Sequence, residues 1–116
     1  MADQLHDSSD NLTIAAQFIE LGELSEAIKL LSPLLAKGNA EAEYLYASLG
    51  VSDESLEQFN LRRLKLLESA AKKSHAGANY ELSVMFDAGD GVNTDKKRAY
   101  DYLERAAKLE VSETFG

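Results

Sequence analysis

Three aspartates stand close together around the one glycine-rich stretch of the chain. Asp87, Asp90 and Asp95 flank Gly89 and Gly91, and closely spaced carboxylates are typical ligands of calcium. The EF-hand spacing is not met, because glycines occupy places where ligands are needed and no glutamate stands at the twelfth position. We therefore expect no metal here and interpret the glycines as residues of a tight turn.

The two histidines are the other residues that could do chemistry. His6 lies in a polar segment near the N-terminus, and His75 lies between two predicted helices. Neither belongs to a zinc-binding spacing, and the sequence has no Gly-x-Ser-x-Gly nucleophile elbow and no phosphate-binding glycine loop. The sequence therefore predicts a protein that is not an enzyme and that uses no cofactor and no metal.

Two rows of side chains, each spaced by three or four residues along a predicted helix, could contact another protein. The rows are Glu41, Tyr44 and Ser48, and Tyr80, Val84 and Asp87. Tyrosine is enriched among the residues that dominate binding energies, so we expect these rows to form the partner-binding surface. The alternative is that both tyrosines pack between repeats, since aromatic residues at helical spacing are usually buried.

Charge is distributed unevenly along the 116 residues. The first 60 carry eleven acids and two bases, a charge of −9, whereas the rest carry nine acids and ten bases, a charge of +1, so that the total is −8. Nucleic-acid binding is disfavoured because contacts to phosphates need a basic surface. An acidic half suits a basic protein partner, although an acidic surface can also serve solubility alone.

Five basic residues cluster within one predicted helix. They are Arg62, Arg63, Lys65, Lys72 and Lys73. This cluster is either a basic recognition patch or a solvated face whose last two lysines complement the negative end of the helix dipole.

The composition also bears on the compartment. No stretch approaches the roughly 20 apolar residues that a membrane span needs, and the polar N-terminus lacks the features of a signal peptide. The chain has no cysteine, which fits a reducing compartment. We expect a cytoplasmic protein without membrane contact that is monomeric when free.

The elements that must position these residues follow from a repeat of 36 residues. The pair Ala70 and Ala71 recurs as Ala106 and Ala107, and a self-match at a period of this size is typical of stacked repeats. Further pairs keep the same offset: Leu67 and Leu103, Glu68 and Glu104, Lys72 and Lys108, and Tyr44 and Tyr80. The apolar spacing is helical throughout. Together these patterns predict six helices in three antiparallel pairs, at about residues 11–38, 39–74 and 75–109.

The ends of several helices can be predicted from single residues. An apolar stripe containing Leu21 ends at Gly22, Asn39 is a suitable N-cap for the third helix, and Gly89 ends the fifth. Residues 1–10 are predicted to be a flexible acidic tail, and residues 110–116 a C-terminal tail.

The third copy contains small residues, aromatic residues and loop glycines in a recurrent order. They are Ala78, Tyr80, Leu82 and Phe86, then Gly89, Gly91, Val92 and Asp95, then Ala99, Tyr102, Ala106 and Ala107. This set resembles the Sel1-like repeat family. The second copy keeps five of the family's residues but not the loop glycines, and the first copy is more similar to the related tetratricopeptide pattern.

The resemblance implies a right-handed α-solenoid of three antiparallel helix hairpins, whose first helices line a concave face. It also implies protein–protein contact as the function. We expect a small bacterial immunity protein or antitoxin that neutralises a cognate toxin, because the chain is small, has no appended domain and has an acidic half that could cover a basic toxin domain. The alternative is a general adaptor or regulatory subunit that recruits a peptide or an enzyme in signalling or complex assembly.

Overall fold

The computed structural model describes residues 8–51 and 53–115, and within these ranges every regular element is an α-helix. The helices are α1 (Ser8–Glu20), α2 (Leu24–Ala36), α3 (Ala40–Ala47), α4 (Leu56–Lys72), α5 (Ala76–Ala88) and α6 (Lys96–Phe115). The predicted all-α class is therefore confirmed. His6 and most of the predicted N-terminal tail lie outside the described residues.

Each helix packs against the next one in the chain, from α1 on α2 to α5 on α6, and α1 also contacts α3. The apolar side chains form two clusters. One joins α1, α2 and α3 around Ala15, Leu31 and Ala42, and the other joins α3 to α6 around Leu67 and Leu82. Helix α3 contributes to both clusters, so it connects the two halves of the molecule.

A tight turn connects α1 to α2, and it begins before the predicted apolar stripe ends. Gly22 adopts a φ of 80°, and the amide of Glu23 donates to the carbonyl of Phe18. Leu21, which the stripe included, is 74% exposed. The residue follows the last turn of α1 and points away from the apolar cluster, so its assignment to the buried side was wrong.

Polar side chains cap the starts of α3, α4 and α5. Asn39 accepts a hydrogen bond from the amide of Ala42 at the start of α3, as predicted. Ser55 and Gln58 form a reciprocal capping box at the start of α4. His75 caps α5 by accepting from the amide of Ala78. These bonds satisfy amides that have no partner within the helix.

The end of α5 follows the prediction. Gly89 is the C-cap, in the left-handed conformation with a φ of 73°, and its amide donates to the carbonyl of Met85. A Cβ at this position would lie 2.6 Å from Oγ1 of Thr94. The site therefore requires glycine both for its backbone angle and for the close approach of the following loop.

Helix α6 is longer than the repeat predicts. It continues through residue 115, so the segment 110–115 is helical and not the predicted tail. The segment contains neither glycine nor proline, the two residues that most strongly end a helix. None of the helices in residues 8–51 and 53–115 is both long enough and apolar enough to cross a membrane.

Candidate functional site: a groove on helices α5 and α6

The second predicted row lines an open groove on the outer side of α5 and α6. Tyr80, Val84 and Asp87 of α5 form one wall, and α6 forms the other with Tyr100 and Leu103. Ser83, Ala88, Lys96 and Ala99 complete the lining. The cleft, which we call the α5/α6 groove, encloses about 490 Å³. The structure thus brings the whole second row together on one accessible surface.

Large apolar side chains dominate this groove although they face solvent. The exposed fractions are 54% for Tyr80, 44% for Val84, 64% for Tyr100 and 46% for Leu103. Isolated exposed apolar residues are common, but a contiguous group of them is typical of an interaction surface. Tyr100 and Leu103 were not in the predicted row, although the 36-residue offset from Leu64 and Leu67 could have indicated them.

The first predicted row has a different environment. Glu41 contacts His75, with 2.5 Å between Oε1 and Nε2. Tyr44 packs against the same imidazole, with 4.6 Å between the ring centres and an angle of 31° between the ring planes. Ser48 is exposed at the C-terminal end of α3. Two of the three side chains therefore contact the start of α5, and the row is not a free surface of the kind that the second row forms.

The two rows occupy equivalent places. A smaller cleft of about 250 Å³ between α3, α4 and α5 is lined by Tyr44, Ser48, Arg63 and Leu67. Addition of 36 to these numbers gives Tyr80, Val84, Ala99 and Leu103, all in the α5/α6 groove. In the smaller cleft, which we call the α3/α4 groove, α5 contributes Glu81. The same surface is thus partly covered in one copy and open in the next.

The three aspartates of the glycine loop have separate partners. Asp87 pairs with Lys96 at 2.8 Å, and Asp90 pairs with Arg63 at 3.2 Å. Asp95 accepts from the amide of Arg98 at the start of α6. Within residues 8–51 and 53–115, no group of three or more acidic or histidine side chains is arranged to hold a metal ion. The carboxylates therefore act as ion-pair partners and as a helix cap.

His75 makes three contacts that the sequence did not indicate. Its Nδ1 accepts a hydrogen bond from the amide of Ala78 at 3.0 Å. The proton of the neutral ring therefore lies on Nε2, which faces the Glu41 carboxylate. Its ring packs against Tyr44. These contacts join the start of α5 to α3, so the histidine has a structural role at the interface between the second and third copies.

The basic cluster of α4 fits the solvated-face interpretation only in part, with Lys72 in the last turn and Lys73 at the C-cap. Arg62 pairs with Glu54 at 2.7 Å, and Arg63 pairs with Glu81 at 3.4 Å and with Asp90. Lys73 donates to Glu43 at 3.1 Å and to the carbonyl of Gly38 at 2.7 Å. Three of the five cations are therefore used in contacts between different elements of the chain. Only Lys65 and Lys72 have the character of a solvated face.

A larger cleft, of about 750 Å³, lies between α2, α3 and α4. Arg62 lies in it, bonded to both oxygens of Glu54 and to the carbonyls of Tyr46 and Leu49. Its guanidinium also lies 5.1 Å from the ring centre of Tyr46 and 5.4 Å from that of Phe59. Because most donors of Arg62 are already used, this side chain holds the turn before α4 and has few donors left for a ligand.

The electrostatics of these residues do not favour proton transfer. The hydrogen bond from Arg62 holds the pKa of the Glu54 carboxyl below its ordinary value, so the group stays ionised near neutral pH. Burial, together with the charges of Glu81 and Glu41, raises the pKa of the Tyr44 phenol, so this group keeps its proton. Neither shift produces an acid or base that titrates near neutrality, as general acid–base catalysis would require.

Comparisons with known proteins give limited similarity. The chain matches no protein-family model and no solved structure. It is 29% identical over 104 residues to the chitin synthase regulator SKT5 of Saccharomyces cerevisiae. This match covers 89% of the chain but only 15% of the relative, so the chain spans a small part of that protein's length. The chain is thus similar to one segment of a protein that is named for a regulatory function.

Proposed function

We propose that this chain is a non-enzymatic protein-binding module. Its architecture in this proposal is a right-handed α-solenoid of three antiparallel helix hairpins, of the Sel1-like type with a first repeat similar to tetratricopeptide repeats. Several pairs of residues at the 36-residue offset support this arrangement. Ala42 and Ala78 are both buried in first helices, and Ala70 and Ala106 are both buried in second helices.

The observation that carries the proposal is the α5/α6 groove. Tyr80, Val84, Tyr100 and Leu103 present a contiguous apolar surface to solvent. Burying such side chains in an interface is favourable by about 25 cal/mol per Å² of apolar surface. Stacked helical repeats commonly use exposed surfaces of this kind to bind other macromolecules. In this proposal the first predicted row, with Glu41 and Tyr44, maintains the fold.

Of the concrete forms of this function, a regulatory or adaptor role has the better support. The similar segment belongs to a protein named as a regulator of chitin synthase. By analogy, the chain binds an enzyme or a peptide segment of an enzyme complex and affects its activity through that contact. The partner remains a protein, and neither a nucleic acid nor a membrane is part of the proposal.

The experiment that tests this function is co-purification followed by reconstitution. A tagged full chain and its Tyr100→Arg variant are used to isolate partners, which are identified by mass spectrometry and then purified. Direct binding of a purified partner to the wild-type chain supports the proposal, and calorimetry provides its affinity. Turnover of a substrate by the isolated chain, or failure of every purified candidate to bind it, would contradict the proposal.

An immunity protein or antitoxin is the second candidate, and the acidic first half favours it. Residues 1–60 carry a charge of −9, and Glu20, Glu23 and Glu26 are exposed near the connection between α1 and α2. Such a surface would attract a basic toxin domain and accelerate association. In this case the neighbouring gene encodes a toxin, the two proteins co-purify, and expression of the chain restores growth. Absence of rescue by a folded chain argues for the regulatory form.

A further inference from the structure

The α5/α6 groove can be compared with the equivalent surface one repeat earlier, which another helix covers. Leu67 is 1% exposed, whereas Leu103 at the equivalent place is 46% exposed. Ala71 is buried and its equivalent Ala107 is exposed. The difference arises from α5, which packs against α4. The interface between α4 and α5 therefore indicates which kind of element fits the open groove.

Two residues of α5, Gly77 and Glu81, determine how this helix covers the α3/α4 groove. Gly77 faces the ring of Tyr44, and a Cβ on this glycine would lie 3.1 Å from that ring. One helical turn later, Glu81 reaches Arg63 and contributes to the α3/α4 groove. A helix seated on this surface thus carries a small residue opposite the tyrosine and, four positions later, a residue opposite the position of Arg63.

Two differences from the covered copy replace a polar side chain of the groove by an apolar one. Val84 stands where the earlier copy has Ser48, and Ala99 stands where it has Arg63. A repeat surface that only faces water is expected to be polar. The centre of the α5/α6 groove is instead apolar, although Asp87 and Lys96 line it as well.

The charge of the groove also limits what can occupy it. Without a counterpart of Arg63, the wall that contains Ala99 offers only Lys96 as a cation to receive an acid such as Glu81. The charged pair at the rim, Asp87 and Lys96, is neutralised internally. An apolar residue on the occupant therefore complements this wall better than an acidic one, because a buried carboxylate without a partner is costly.

A head-to-tail arrangement of copies does not meet these requirements. The first helix of a second copy would have to cover the groove, and the outward positions of α1 are occupied by the polar residues Ser9, Thr13 and Gln17. If two copies paired their grooves around a two-fold axis, Tyr80 or Tyr100 would face a tyrosine or leucine of the other copy. The groove lining contains no glycine that could take the place of Gly77. The occupant is better supplied by another protein.

We propose that the α5/α6 groove binds an amphipathic α-helix of a partner protein, seated as α5 is seated on α3 and α4. The helix carries a small residue opposite Tyr80 and, four positions later, an apolar residue opposite Ala99. Its contact is chiefly apolar, so the affinity depends weakly on salt. This inference rests on the proposed protein-binding function and specifies the kind of segment that is bound.

A peptide of the chain's own sequence is the probe that tests the inference. The peptide spans residues 75–88 and carries Glu81→Leu. It also carries Tyr80→Glu and Val84→Lys, whose side chains are condensed to a lactam with loss of water to hold the peptide helical; both positions are exposed in α5. Two control peptides keep Glu81 or carry Gly77→Leu in addition to Glu81→Leu. Each is titrated into the isotope-labelled full chain, and amide resonances report where it binds.

The expected result has three parts. The probe shifts the resonances of Tyr80, Val84, Tyr100 and Leu103, it binds about tenfold more tightly than either control peptide, and its affinity changes little between about 0.05 and 0.5 M salt. Val84→Asp and Tyr100→Arg abolish binding because each places a charge in the apolar groove. Both side chains are exposed, so neither replacement disturbs the fold. Lys97→Gln, on α6 outside the groove lining, retains wild-type affinity.

Other outcomes overturn the inference. These are shifts confined to the cleft around Arg62, no shift at millimolar peptide, or equal binding by all three peptides. Self-association of the chain that Tyr100→Arg abolishes would assign the groove to a second copy. A purified native partner that binds wild-type and Tyr100→Arg chains equally well would leave the protein-binding function standing while removing this inference.

Discussion

His75 caps helix α5 in the way that Asn39, 36 residues earlier, caps helix α3. Each side chain accepts a hydrogen bond from the amide three residues later, at 3.0 Å from Ala78 and at 2.8 Å from Ala42. Histidine is an unusual residue for this position, since Ser, Thr, Asp and Asn are preferred. Its further contacts with Glu41 and Tyr44 explain why a larger ring can stand here.

Replacement of His75 separates its role as a helix cap from its contact with Tyr44. We expect His75→Ala to lower the free energy of unfolding by about 0.5–2 kcal/mol through loss of the cap. His75→Asn keeps the cap but loses the packing against Tyr44, so its loss should be smaller than that of His75→Ala. Urea denaturation followed by circular dichroism measures both values. Equal losses for the two variants would show that the cap contributes nothing.

Leu67 and Leu103 provide a matched pair for the burial difference between the two copies. Leu67→Ala should lower the free energy of unfolding by about 2–5 kcal/mol, because it leaves a cavity in the core. Leu103→Ala should change it by less than about 1 kcal/mol, since its side chain is half-exposed. Both values come from equilibrium denaturation. A large loss for Leu103→Ala in the isolated chain would mean that its groove is already covered.

The left-handed C-cap of α5 can be tested with another glycine as the control. Gly89→Ala should cost about 1–2 kcal/mol for the backbone conformation alone, and more from the close approach of Thr94. Gly50 has no such conformation, and a Cβ there would meet nothing within 4 Å. Gly50→Ala should therefore stabilise the chain by about 0.4–1 kcal/mol. Thermal unfolding of both variants gives the comparison, and a harmless Gly89→Ala would contradict the assigned role.

The pair of Arg62 and Glu54 predicts a dependence of stability on acid. The pKa of Glu54 is held below its ordinary value of 4.5, chiefly by the hydrogen bond from Arg62. The native state thus favours the ionised carboxylate, and its stabilising effect is complete above the ordinary value and is lost as the pH falls through the lowered one.

Glu54→Gln removes this titration. The variant should be less stable than the wild type at neutral pH, and the difference should shrink as the pH falls below 4.5. Denaturation midpoints measured across this range test the sign. A difference that grows on acidification would show that the carboxylate is not held in its ionised form.

Much of the helical order could be predicted from the sequence, because local residues determine it. The helical spacing of apolar residues, the cap at Asn39 and the end at Gly89 all depend on neighbours within a few positions. The prediction failed where such signals are weak. The 36-residue period predicts an end near residue 109, but nothing in residues 110–115 interrupts a helix, and α6 continues through them.

The difference between the two predicted rows could not be found in the same way. Tyr44 and Tyr80 have the same position in their repeats, and the periodicity treats them alike. What differs is whether a following helix covers them, and this depends on contacts between segments that are distant in sequence. His75 and Gly77 meet Tyr44, whereas Tyr80 is 54% exposed. The contact of Glu41 with His75 spans 34 positions and has no local signal either.

The chain of neighbouring contacts from α1 to α6 also determines how the molecule opens. Helix α4 packs against both α3 and α5, whereas α6 packs mainly on α5. In an array held together by adjacent contacts, terminal units can open while the centre stays closed. Amide hydrogens of α4 should therefore exchange with solvent more slowly than those of α6, and this difference would make α6 easier to rearrange than α4 when another protein binds.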